Sequence, residues 1–170
     1  IGLFTAAALT PMSALAAIDP RSEQFKNLAF FNTHTRERLA VCYCRYGKYD
    51  PKALAKINYI LRDHRSNEIK DIDPRLLDLL HGLSLKTRPD APFHIISGYR
   101  SPSTNKMLRK NSGGVAKKSM HMLGKAIDIR IPGYNTKKLH LKAKQMKAGG
   151  VGYYPKSDFV HVDTGRVRYW

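Results

Sequence analysis

A chain of 170 residues with 42% hydrophobic content can bury one sizeable core and is too short for two comfortable domains. Thirty Lys and Arg against thirteen Asp and Glu leave a formal net charge of +17, which excludes a neutral surface and points to polyanionic partners: nucleic acid, anionic lipid or an acidic cell-wall polymer. The two cysteines, Cys42 and Cys44, are too few for a zinc site built from cysteine pairs.

The first seventeen residues, IGLFTAAALTPMSALAA, carry no charge, are broken at Pro11 and end in the small-x-small site Ala14-Leu15-Ala16. They read as the apolar middle of a secretory signal that begins partway through, leaving residues 18–170 as the working domain. The segment is too short for a comfortable membrane span, and charges follow from Asp19. An exported, basic protein meets an anionic wall or membrane surface before it meets nucleic acid, so the expected location is periplasmic or otherwise in the cell envelope.

The next segment predicts two short strands joined by the polar run Asn32 to Glu37. Cys42 and Cys44, two apart on the second strand, are expected to face the same side, where a bridge between them would be strained. Asp50-Pro51 and Asp73-Pro74 are helix starts, each an N-cap followed by proline at the first helical position. Ala53, Ile57, Ile60 and Leu61 give the first helix an apolar face; Leu76, Leu77, Leu80 and Leu83 do so for the second. A strand follows over residues 93–97, then a basic helix from about Ser103 to Lys110 and a loop over 111–118. The strand AIDIRI, a helix from Thr136 to Ala148 and two closing strands around VGYY and FVHVD complete the chain. The order predicts a single α+β domain with a central antiparallel sheet and helices packed mainly from the N-terminal half.

Strand alternation sends Ile127, Ile129 and Ile131 to one face and Ala126, Asp128 and Arg130 to the other. FVHVD likewise turns Val160 and Val162 inward and Phe159, His161 and Asp163 outward. If the strands pair, Asp128 and His161 share a face, and a turn at Gly124 brings His121 to them. Two imidazoles and a carboxylate suit a zinc ion with one position left for water, whose pKa falls to about 7 on the metal. Asp158 and Asp163 are the nearby acids that can take a proton. His34, His64, His81 and His140 sit in polar or helical contexts, and His94 in an apolar strand reads as a satisfied core residue. Lys106, Arg109, Lys110, Lys117 and Lys118 read as a solvated face beside the cleft, and Tyr153 and Tyr154 as a pair of which one packs inward.

The pattern S-x-H-x-x-G-x-A-x-D, met by Ser119, His121, Gly124, Ala126 and Asp128, resembles the signature of the zinc D-Ala-D-Ala metallopeptidases. FVHVD resembles that family's late ligand strand, SGYRS at 97–101 its arginine segment, and HVDTGRVRYW the endings of its murein endopeptidase K branch. The resemblance spans roughly Pro92 to Trp170. It implies one zinc ion on His121, Asp128 and His161, with Arg100 holding substrate or stabilising an oxyanion. Ser119 contacts substrate or orients the turn, and Tyr153 lines the groove. Several relatives place an acid three residues before the last histidine, which maps onto Asp158; Asp163 is the partner of His161 or the alternative base. The implied function is hydrolysis of peptide cross-links in peptidoglycan, including diaminopimelate links. A D,D- or L,D-carboxypeptidase on the same metal site and a non-catalytic wall-binding module are the competing readings. A nucleic-acid-binding protein would need no ligand triad.

Overall fold

The computed structural model describes residues 24–89, 91–112 and 114–170; the signal-like segment at 1–17 lies outside the described residues. Strand β1 (Phe25–Asn32) and strand β2 (Arg38–Arg45) form an antiparallel hairpin. Asn32 closes the turn between them, its side-chain carbonyl accepting from the backbone N–H groups of His34 and Thr35 at 3.0 and 3.2 Å. Lys26 pairs with Cys44 but Asn27 with Cys42, so Tyr43 is an extra residue at a β-bulge. The bulge breaks the alternation that would have put both cysteines on one side. Tyr43 and Cys44 are buried in the core and Cys42 is only half-buried, both thiols remaining free.

After β3 (Lys48–Tyr49), helix α1 (Pro51–Ile60) and helix α2 (Pro74–Thr87) occupy the long connection between β1–β2 and β4 (Phe93–Ser97). β4 runs parallel to β1, and a parallel pair needs such a crossover. Asp50 caps α1 by accepting from the N–H of Lys52 at 2.8 Å, and Asp73 caps α2 by accepting from the N–H of Arg75 at 3.0 Å. Leu76, Leu77, Leu80 and Leu83 are fully buried, at the 3.6-residue spacing that lays one helical stripe on a sheet.

Helix α3 (Pro102–Asn111) is polar and buries little beyond Thr104 and Asn105. Strand β5 (Ala126–Arg130), helix α4 (Thr136–Met146), β6 (Gly150–Tyr154), β7 (Phe159–Asp163) and β8 (Arg168–Tyr169) follow. The eight strands form one sheet in the order β3-β2-β1-β4-β5-β7-β6-β8, antiparallel except at β1/β4 and β6/β8. The domain is therefore α+β. Ile127, Ile129, Val160 and Val162 sit at 0% exposure on the helix-covered face. That leaves their alternate neighbours, Asp128 and His161 among them, on the opposite face.

One close approach positions the segment between β4 and α3. Gly98 lies so near the Leu61 carbonyl that a Cβ there would stand 2.4 Å from that oxygen, and the next N–H, of Tyr99, donates to the same carbonyl at 2.7 Å. Buried Asp63 continues the anchor, accepting from the Ser101 N–H at 2.9 Å. Burial opposes its charge, but bonds from the Thr104 and Ser101 side chains and from backbone N–H groups hold it well below the usual carboxylate range. We predict that Gly98→Ala lowers unfolding free energy by about 1–3 kcal/mol, the usual cost of overpacking. Urea denaturation measures it, and an unchanged midpoint would mean that the Leu61 contact yields freely.

A candidate metal centre on the open face of the sheet

Pairing in register places Asp128 of β5 directly opposite His161 of β7. Asp128 also pairs with Ser97 of β4, so the two central strands and β4 meet at this acid. His121 arrives from a 3-10 turn, Met120–Leu123, that Ser119 caps by accepting from the His121 N–H at 3.3 Å. Gly124 ends that turn at φ +65°, where an L side chain is strained and where a Cβ would stand 2.3 Å from the Asp71 carbonyl. Its own carbonyl accepts from the N–H of Asp73, tying the turn to the start of α2.

The three side chains form a tight buried triangle. Asp128 Oδ1 lies 2.8 Å from His161 Nδ1 and 3.3 Å from His121 Nε2, and the two imidazole nitrogens are 3.2 Å apart. The outer nitrogens are engaged: His121 Nδ1 faces the Gly98 carbonyl at 2.7 Å and His161 Nε2 faces Asp163 Oδ2 at 2.9 Å. Both partners are acceptors, so each outer nitrogen carries a hydrogen, and the inner nitrogens are left to meet a proton or a metal ion. The inner nitrogens then present lone pairs, beside a carboxylate oxygen, toward one point. Three acceptors facing each other repel unless a cation lies between them. Tetrahedral zinc with ligands at 2.0–2.1 Å keeps donor atoms about 3.3 Å apart, close to the separations found, and two nitrogens with one carboxylate suit that ion.

The electrostatics agree. Burial would raise the Asp128 carboxyl, but His121 and His161 outweigh it and hold it below the usual range. Burial likewise opposes charge on His161, while bonds to Asp128 and Asp163 prevail and push the imidazole up to about 9. The triangle thus attracts positive charge, as proton or as metal ion.

Asp163 is fully buried and saturated. Its Oδ1 accepts from the N–H groups of Gly150 and Gly165 at 3.1 and 2.8 Å, and both oxygens accept from Arg168, at 3.1 and 2.7 Å. Burial opposes its ionisation, and His161, Arg168 and those backbone N–H groups hold the carboxyl below its usual range nevertheless.

The other expected residues fall in several places. Arg100 enters the site: Nη2 lies 3.9 Å from Asp128 Oδ2 and donates to Ser97 Oγ at 3.3 Å, while buried Nε has no hydrogen-bond partner among the described residues. Asp158 sits after the short 3-10 turn Pro155–Ser157 in a left-handed conformation. Its carboxylate accepts a hydrogen bond from Thr136 and faces Arg130 at 3.8 Å, with its side chain 62% exposed; its partners lie at the β5–α4 end rather than in the triangle. Tyr153, expected at the groove, stacks on His140 of α4 at 5.1 Å and so faces the helices. Alternation gives the His161 face to Tyr154 instead, stacked on Phe159 at 4.5 Å. Lys106, Arg109, Lys110, Lys117 and Lys118 are exposed, as a solvated basic face requires.

Sequence reasoning missed the closing strand β8 and Trp170, whose indole lies 5.3 Å from the His161 ring. A two-residue strand is too short to show a period. The signal available was Gly152, which a Cβ would bring within 2.6 Å of that indole.

The model of a family described as peptidoglycan L,D-endopeptidase MepK matches residues 20–170. The peptidoglycan L,D-endopeptidase MepK of Escherichia coli (strain K12) is 44% identical over 170 residues, covering 99% of this chain and 92% of that protein. The probable peptidoglycan L,D-endopeptidase MepK of Haemophilus influenzae (strain ATCC 51907 / DSM 11121 / KW20 / Rd) is 41% identical over 171 residues, covering 99% and 90%. With its His/Asp/His triangle assembled on the open sheet face, the chain belongs to this peptidase family.

Proposed function

We propose that the protein is an exported, zinc-dependent endopeptidase that hydrolyses peptide cross-links of peptidoglycan, including links between two diaminopimelate residues. The observation that carries this reading is the convergence of His121, Asp128 and His161, whose ligand atoms all lie within 4.8 Å of one another. The relatives named as peptidoglycan L,D-endopeptidases support the substrate and the bond class. The uncharged segment at 1–17 supports export, with residues 18–170 as the metallopeptidase domain. Among the described residues no helix is long and apolar enough to cross a membrane. The net charge of +17 suits an anionic wall as partner, and the reading needs no nucleic acid.

In this reading His121 Nε2, Asp128 Oδ1 and His161 Nδ1 hold the ion. A zinc ion so held supplies a Lewis acid and lowers the pKa of a bound water to about 7. Gly98 and Asp163 fix the two rings in the tautomers that leave the inner nitrogens free. Arg100, desolvated and fixed beside Asp128, offers its donors to the carbonyl oxygen as that oxygen gains negative charge. Burial lowers the guanidinium's pKa, with Asp128 opposing that shift, and arginine stays charged throughout. Ser119 serves the turn that carries His121. In this reading Asp163, already accepting from His161, Arg168 and two backbone N–H groups, orients His161, and Asp158, the acid three residues before that histidine, takes the proton.

Three measurements check this. Purified protein should carry stoichiometric zinc and convert cross-linked muropeptide dimers from isolated peptidoglycan to monomers, with both properties lost in His121→Ala. Zinc without cleavage would favour a wall-binding module; release of a terminal D-amino acid alone would favour a carboxypeptidase. Asp163→Asn should weaken zinc affinity about 10–100-fold, the usual cost of losing a carboxylate behind a ligand histidine. Asp158→Asn should lower kcat at least a hundredfold at unchanged zinc content, within the range for a general base. A kcat within threefold of the parent would leave Asp158 only its bonds to Thr136 and Arg130.

A further inference from the structure

The aromatic residues beside the triangle are held more firmly than exposed side chains need to be. Trp170 is 48% exposed, yet its backbone pairs with β6 on both sides: the Tyr153 N–H donates to the Trp170 carbonyl at 2.9 Å, and the Trp170 N–H to the Val151 carbonyl at 3.2 Å. Its ring lies over Gly152, the residue paired with His161, and the Arg168 guanidinium stacks on it at 5.0 Å. Arg168 is itself clamped to buried Asp163. An indole fixed in this way and left half in solvent is built to meet something that arrives from outside.

The hydrogen bond it makes has a consequence for its neighbour. Trp170 Nε1–H donates to the Tyr154 hydroxyl oxygen at 2.9 Å. Indole nitrogen can only donate, so the phenol is the acceptor here and its own proton must point elsewhere. Among the described residues that proton has no acceptor. Tyr154 stands on the His161 face of the sheet, its ring braced against Phe159, and it lies within electrostatic range of Arg100. A free O–H donor is therefore held beside the candidate metal centre, with its direction set by a tryptophan.

Taking the endopeptidase reading as its basis, we propose that Tyr154 is a catalytic residue whose phenolic O–H donates to the carbonyl oxygen of the scissile cross-link, and that Trp170 is the positioning residue that directs it. That oxygen gains negative charge as the carbonyl is attacked, so a donor already in place strengthens its bond during the reaction and raises kcat rather than lowering KM. Arg100 and Tyr154 then share the oxygen, one as a charged donor and one as a neutral donor. The nitrogen of the indole never touches substrate.

The test is steady-state cleavage of cross-linked muropeptide dimers by zinc-loaded parent, Tyr154→Phe, Trp170→Phe and the double variant, with zinc content measured on each. Phenylalanine keeps the stack on Phe159, so Tyr154→Phe should fold and bind zinc as the parent does. Its kcat should fall about a hundredfold, the cost of one lost oxyanion donor, with KM within twofold. Trp170→Phe should lower kcat less, and should add nothing in the Tyr154→Phe background because it acts through the phenol. Trp170 is the single tryptophan of the chain, so its emission, changed in Tyr154→Phe before any substrate is added, reports the bond directly. A Tyr154→Phe enzyme with kcat within threefold of the parent overturns the catalytic role. Equal losses from Trp170→Phe in both backgrounds overturn the positioning role. A parent that cleaves nothing brings down the endopeptidase reading, and this assignment with it.

Discussion

Repulsion among three buried acceptors is the constraint around which this molecule is arranged. His121 Nε2, Asp128 Oδ1 and His161 Nδ1 stand 2.8 to 3.3 Å apart, in a place where little water can screen them. Such a set costs free energy unless a cation completes it, because polar groups taken from water must be satisfied from within. Everything near it keeps the acceptors from turning away. The β5–β7 register locks Asp128 against His161, Gly98 holds one ring through its carbonyl and Asp163 holds the other. The fold accepts a locally unfavourable arrangement at a functional site and offsets it with a well-packed core on the other face of the same sheet.

Much of that arrangement was legible from residues alone, for reasons that can be stated. The acid-proline pairs at Asp50 and Asp73 mark helix starts because capping chemistry is local, and the leucines of α2 mark its buried stripe because helical spacing is local too. Alternation within AIDIR and FVHVD assigned Asp128 and His161 to the same kind of face, since a strand's period is two whatever it pairs with. What the residues could not display was which strands would be neighbours. The family resemblance of Ser119 to Asp128 made good that gap; periodicity did not.

What alternation alone could not give is equally physical. Cys42 and Cys44 do not share a side because Tyr43 bulges between them, and a bulge depends on the partner strand as well as on its own. Tyr154 rather than Tyr153 shares the face of His161, because Gly152, opposite His161, sets which of the two adjacent rings alternation turns that way. Asp158 lies outside regular strand, in a left-handed turn, where alternation has nothing to say about its direction. β8 is two residues long and is held by the side chains of Arg168 and Trp170 as much as by its backbone.

Asp163 explains why that short strand matters. A single buried carboxylate accepts from His161 on β7, from the Gly150 N–H on β6, from the Gly165 N–H in the final turn and from Arg168 on β8. Gly149 and Gly150 have to be bare for this: a Cβ on the first would lie 1.8 Å from the Asp163 carbonyl oxygen, and one on the second 2.5 Å from its carboxylate. Orienting the His161 ring and closing the sheet edge are therefore the same interaction, made by one side chain. Arg168 passes the constraint on, stacking on the indole that in turn fixes the Tyr154 hydroxyl. The geometry at His161 and the geometry of the aromatic wall cannot vary independently, since a shift of Asp163 would disturb both.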